Sequence, residues 1–99
     1  MILRILITAA LACAAPAAAA QDAGARNLAA GCAICHGTEG RAVTRDVTTL
    51  AGIPPDHLAK QLRDFRDGKL PATVMHQIAK GYTDAQIDAL AAWFAAQKR

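Results

Sequence analysis

The stretch Gly31-Cys32-Ala33-Ile34-Cys35-His36-Gly37 carries two thiols three residues apart and an imidazole directly after the second. On a helical turn, positions i, i+3 and i+4 share one side, so this spacing sets all three groups on a single face. Two cysteines one turn apart cannot staple distant segments, as the disulfides of small exported domains do. A zinc site wants four ligands, and a second Cys or His pair at metal spacing is missing. A thioredoxin-like redox pair needs a preceding strand and an α/β pattern, and neither is visible. Covalent haem attachment requires this arrangement, two thiols for the porphyrin vinyl groups and an adjacent imidazole for the iron. The reading is one haem c held by Cys32 and Cys35, with His36 as an axial ligand.

Toward the amino end, residues 1–20 read MILRILITAALACAAPAAAA: an early Arg4, an apolar stretch, then Ala18-Ala19-Ala20. This is the pattern of a secretory signal, with cleavage expected before Gln21. It is too short, and too rich in alanine at its end, for a membrane span. A lipoprotein reading of Cys13, preceded by Ala10-Leu11-Ala12, would leave an unusually short apolar stretch. Export agrees with the haem reading, because bacteria make this attachment outside the cytoplasm. The expected location is the periplasm.

The whole chain has 99 residues, one small domain at most. Its 54% hydrophobic content is inflated by the leader. From Gln21 onward 36 of 79 residues are apolar, ordinary for a soluble globular chain, which excludes membrane, fibrous and disordered classes. The formal net charge of +3 falls to +2 without Arg4. Basic and acidic residues alternate in Lys60, Arg63, Asp64, Arg66 and Asp67 with no aromatic ladder, so nucleic acid is not an expected partner. The plain reading of that run is a solvated helix face, with docking to a partner protein as the other.

Residues 21–99 are expected to form one all-α domain of about four helical segments and long loops around the haem. The first helix is predicted over residues 22–35, with Asp22 near its start. Residues 37–54, with three glycines, four threonines and no sustained period, read as a loop. Pro54-Pro55 opens a second helix, on which Leu58, Leu62 and Phe65 make one apolar stripe and which Gly68 ends. A short helical stretch follows over residues 75–80. Thr83-Asp84-Ala85-Gln86 is a capping box, and the helix after it turns Ile87, Leu90, Ala91 and Phe94 inward with Trp93 beside them. So small a chain has little apolar content of its own, and the haem is expected to serve as its core.

The second axial position must come from elsewhere. Met75 is the one methionine after the leader, thirty-nine residues beyond His36, and a thioether ligand stabilises ferrous iron as electron carriers need. Met75 as simple core filling is the bland alternative. His76, next to Met75, would give a bis-histidine centre, and His57 stands near the start of the second helix.

With these features in place, residues 21–99 resemble the class I cytochromes c. The likeness runs through CAICHG, Leu50-Ala51-Gly52, a proline-containing loop to Met75 and a C-terminal amphipathic helix with aromatics. It implies Cys32 and Cys35 as thioether attachments and His36 and Met75 as axial ligands. It also implies that the first and last helices cross, bringing the 28–31 region against Trp93 and Phe94. A narrower likeness lies in Leu50-Ala51-Gly52 and in RDGKLPATVMHQIAKGYTDAQIDALAAWFA, residues 66–95, above all residues 71–83. These look like the cytochrome subunit of flavocytochrome c sulfide dehydrogenase, in its monohaem form since there is one CxxCH. In that family the cytochrome docks on a flavin-containing subunit that oxidises sulfide and passes electrons to haem.

One departure stands out. Related short cytochromes often have a proline two residues before the LAG, where this chain has Thr48. Which backbone carbonyl orients His36 is therefore open. The function implied is electron transfer in the periplasm as the haem subunit of a flavoprotein sulfide dehydrogenase, with no catalytic residues of its own. The alternative is a free-standing soluble cytochrome shuttling electrons between respiratory or photosynthetic complexes. A peroxidase or ligand sensor with an open sixth site is disfavoured by Met75.

Overall fold

The computed structural model describes the backbone of residues 15–99 and the side chains of residues 23–99. The start of the expected leader, with Arg4 and Cys13, lies outside the described residues. Among the described residues the elements are α1 (Ala15–Ala30), α2 (Ala33–His36), a 3-10 turn (Thr38–Gly40), α3 (Pro55–Arg66), α4 (Met75–Ala79) and α5 (Asp84–Ala95). The all-α expectation holds, with one more helix than foreseen. The single helix expected over residues 22–35 is two, interrupted by a turn at Gly31 and Cys32. Glycine is a poor helix former, and there the Cys32 N–H donates to the Ala29 carbonyl three residues back at 3.0 Å. That tighter step separates α2 from α1, so Cys35 and His36 sit on a short element of their own with Cys32 just before it.

Pro55 opens α3, where its missing N–H costs nothing. At the other end Lys69 and Leu70 N–H both donate to the Asp64 carbonyl, at 2.8 and 3.2 Å, and the helix stops. Thr83 Oγ1 accepts from Gln86 N at 3.2 Å while Gln86 Oε1 accepts from Thr83 N at 3.0 Å. The capping box is thus complete, and two donors left free at the start of α5 are satisfied.

The core is a junction of α1, α3 and α5, in which α5 packs on both others and α4 packs on α3. Ala29, Leu58, Ala59, Ile87, Leu90, Ala91 and Phe94 form its buried cluster. The inward face expected of α5 is all there. On α3, Leu58 is buried, Leu62 packs against the cluster, and Phe65 is half-buried. The α1–α5 contact implied by the resemblance is also made, by Leu28 and Ala29.

Gly31 takes no part in that contact. A Cβ built there meets nothing nearer than the Leu28 carbonyl of its own helix, at 3.9 Å. The glycine that lies against the aromatic is Gly40, where a Cβ would stand 2.7 Å from Phe94 Cδ1. The loop after α2 thus lies against the Phe94 ring, beside the end of α1. The Trp93 and Phe94 rings meet edge to face, with centroids 5.1 Å apart.

The charged face of α3 has partners that its own sequence does not show. Lys60 pairs with Asp64 within the helix. Arg63, however, reaches across to Asp84 and Asp88 of α5, at 3.2 and 2.8 Å, and Arg66 reaches Asp84 at 2.8 Å. The face is solvated, as read, and its arginines also make exposed ion pairs across the α3–α5 seam. Alternating charges along one helix cannot show which neighbour they meet.

Candidate functional site

Cys32 is the residue before α2, Cys35 lies in its last turn and His36 ends it. The N–H groups of Cys35 and His36 both donate to the Cys32 carbonyl, at 3.3 and 2.8 Å. This closed turn brings the triplet together as its spacing requires. Both thiols are free; Cys32 is half-buried against the core and Cys35 is exposed. Burial pushes the Cys32 thiol above its ordinary value, although a backbone N–H pulls the other way. Tyr82 packs on the same part of the core, and its hydroxyl is raised by burial first and by the charge of a Cys32 thiolate second. Sequence reasoning gave Tyr82 no role.

His36 is half-buried and its ring is held. Nδ1 lies 2.7 Å from the carbonyl oxygen of Thr48. A carbonyl can only accept, so Nδ1 carries the proton and donates it. In a neutral ring this leaves the lone pair on Nε2, the tautomer a metal ligand needs. The carbonyl that sequence left open is therefore that of Thr48, standing where related chains have proline.

The loop between them is built for close approach. Gly37 has φ +85° and ψ +167°, and a Cβ there would lie 1.8 Å from the Arg41 carbonyl oxygen. Only glycine fits. Gly40 N donates to the Gly37 carbonyl at 3.0 Å, and the Gly40 carbonyl accepts from Leu50 N and Ala51 N at 2.8 and 3.2 Å. Further round, Gly52 N donates to the Phe94 carbonyl at 3.0 Å and Arg41 Nη1 to the Lys98 carbonyl at 3.2 Å. The His36-bearing loop is thus clipped to the carboxyl end of α5.

Met75 is the first residue of α4, half-buried, with half-buried His76 beside it. His57 is exposed on α3. Among the three histidines, His36 is the one whose ring is fixed by a hydrogen bond. Apolar Ile34, between the two thiols, is 88% exposed, and Val74, next to Met75, is 54% exposed. Two reduced thiols, an imidazole in the metal-binding tautomer, a thioether and apolar flanks make a donor set that fits covalently bound haem.

A family model described as cytochrome c oxidase, cbb3-type, subunit III matches residues 19–94. The chain is 37% identical over 67 residues to the cytochrome subunit of sulfide dehydrogenase of Chlorobaculum tepidum, spanning 68% of this chain and 60% of that one. It is 40% identical over 96 residues to the thiosulfate dehydrogenase electron acceptor of Thiomonas intermedia, covering 96% of this chain and 44% of the relative. Cytochrome c4 of Pseudomonas aeruginosa is 35% identical over 81 residues, which is 82% of this chain and 40% of the relative. The chain thus spans between two fifths and three fifths of the length of these relatives. No helix among the described residues is long and apolar enough to cross a membrane. The chain belongs to the cytochrome c family, matched over most of its length by the model described as cytochrome c oxidase, cbb3-type, subunit III, and carries haem c.

Proposed function

We propose that Cys32 and Cys35 form the two thioether bonds to a single haem c, and that His36 and Met75 are its axial ligands. Haem supplies a one-electron couple; the residues of this chain tether it, set its ligand field and shield it from water. The observation that carries the reading is the His36 Nδ1–Thr48 carbonyl bond of 2.7 Å, which leaves Nε2 as the free ligand nitrogen. A hydrogen bond at the second nitrogen is what metal-ligating imidazoles have, and it raises their basicity. The half-buried Met75 thioether supports the other position, since sulfur ligation favours the ferrous state. Replacing Met75 with alanine is expected to remove the weak sulfur-to-iron charge-transfer band of the oxidised protein. Absence of that band from the wild type would favour His76 instead.

In this proposal residues 1–20 are a cleaved export signal, residues 21–99 are the haem domain and the site of action is the periplasm. The electron donor is the flavin-containing subunit of a sulfide dehydrogenase. The named C. tepidum relative and the 71–83 segment both support that partner. A free-standing carrier is the second reading, favoured by the likeness to a thiosulfate dehydrogenase electron acceptor and a cytochrome c4. Sulfide-dependent reduction of this chain by a co-purifying flavoprotein distinguishes the two. If the chain purifies alone and a flavoprotein encoded beside it does not reduce it, the carrier reading holds.

A further inference from the structure

We infer that Thr49 is a positioning residue for His36: by holding Ala42 N, its hydroxyl fixes the Thr48 carbonyl on Nδ1. The inference rests on the proposed ligation by His36. The Thr48 side chain is exposed, so residue 48 is not anchored in the core. Its carbonyl belongs to the same planar peptide unit as the N–H of Thr49, so whatever fixes residue 49 fixes the direction of that carbonyl. Thr49 is half-buried, and its Oγ1 accepts from Ala42 N at 3.2 Å. This bond sits one rung beyond the paired bonds from Leu50 N and Ala51 N to the Gly40 carbonyl. Together they close the neck of the loop spanning residues 41–49, and Val43, outside the neck, is 92% exposed.

Proline at position 48 would stiffen this point by locking its own φ. Here the stiffness comes from a side chain one residue later, and threonine suits the task because its branched Cβ restricts χ1. A well-aimed acceptor on Nδ1–H makes the imidazole a stronger donor to iron and favours the ferric state. A wandering carbonyl weakens that bond and raises the reduction potential.

The test uses the haem-loaded protein with 15N-labelled histidine, comparing wild type, Thr49→Val and Thr49→Ser. Valine keeps the shape and removes the acceptor, leaving Ala42 N–H to water. In Thr49→Val the His36 Nδ1 proton should exchange with solvent about tenfold faster, the size of effect expected for one weakened hydrogen bond. The midpoint potential should rise, and Thr49→Ser should restore both. If Thr49→Val fails to load haem, Thr49→Ala takes its place. Unchanged exchange and potential would overturn the role of Thr49 while leaving His36 as ligand. If the wild-type His36 ring protons lack the shifts of an iron ligand, the ligation reading fails first and the inference falls with it.

Discussion

His36 and Thr48, twelve residues apart, are joined by a 2.7 Å hydrogen bond from ring Nδ1 to backbone carbonyl. The bond selects the imidazole tautomer that leaves Nε2 as the acceptor nitrogen. It depends on a loop that doubles back at Gly37 and again at Gly40, so the orientation of the ring rests on backbone shape twelve residues away as much as on the side chain itself.

Gly37→Ala tests that dependence. The new Cβ would lie 1.8 Å from the Arg41 carbonyl oxygen and would have to take φ +85°. Backbone strain of this kind costs about 1–3 kcal/mol, and the displaced Arg41 carbonyl adds to it. Thermal unfolding of the haem-loaded variant should begin well below that of the wild type. Gly24→Ala, with nothing within 4 Å of its Cβ, should leave the transition where it is or raise it.

Phe94 joins the core to the same loop, through its ring against Gly40 and its carbonyl on Gly52 N. It is 3% exposed. Phe94→Ala should therefore destabilise the protein by about 3–5 kcal/mol in denaturant titration. A loss under about 1 kcal/mol would mean that the site collapses around the missing ring.

The α3–α5 ion pairs set an acid limit on stability. Hydrogen bonds from Arg66, then from Arg63, hold the Asp84 carboxyl below its ordinary value. A carboxylate depressed in the folded state contributes stability above its unfolded value of about 3.9, and loses it as pH falls through the folded one. The gap in unfolding midpoint between wild type and Asp84→Asn should be present at neutral pH and close as pH falls below about 4. Because the pairs are exposed, added salt should narrow it as well. A gap that persists at low pH would assign the effect to something other than charge.

Among the described residues the buried apolar set is Ala29, Ala51, Leu58, Ala59, Ala79, Ile87, Leu90, Ala91 and Phe94, and five of these nine are alanines. Alanine methyls bury little area, so the polypeptide alone has little to set against its conformational entropy. A haem-free Cys32→Ala, Cys35→Ala protein is expected to be largely disordered by NMR dispersion and to melt without a cooperative transition. A sharp transition would show that the helices hold without haem.

Where a feature is local in sequence, the residues announced it. The CAICH turn, the Thr83–Gln86 box, the Pro55 start of α3 and the inward face of α5 each follow from spacing within one or two turns. Most of the misses involve partners distant along the chain. Gly40 meets Phe94 and Arg63 meets Asp88 only once α3, α5 and the loop have packed. The break between α1 and α2 hangs on one i to i−3 bond at Cys32, which helical periodicity does not record. Thr48 was noticed for the proline it replaces, but its carbonyl gained a purpose only with the loop closed. Thr49 carries no signal, because one hydroxyl in a threonine-rich loop looks like any other, and Tyr82, between α4 and α5, carries none because its packing partners are distant in sequence.

The central claim is that a single haem is tethered through both cysteines of the α2 turn. Trypsin cutting after Arg26 and Arg41 isolates peptide 27–41, which contains Cys32, Cys35 and His36. Mass spectrometry of that peptide, from protein exported by a host able to mature cytochromes, should show one whole haem and no thiol open to alkylation. A haem-free peptide whose two cysteines both alkylate would contradict the account.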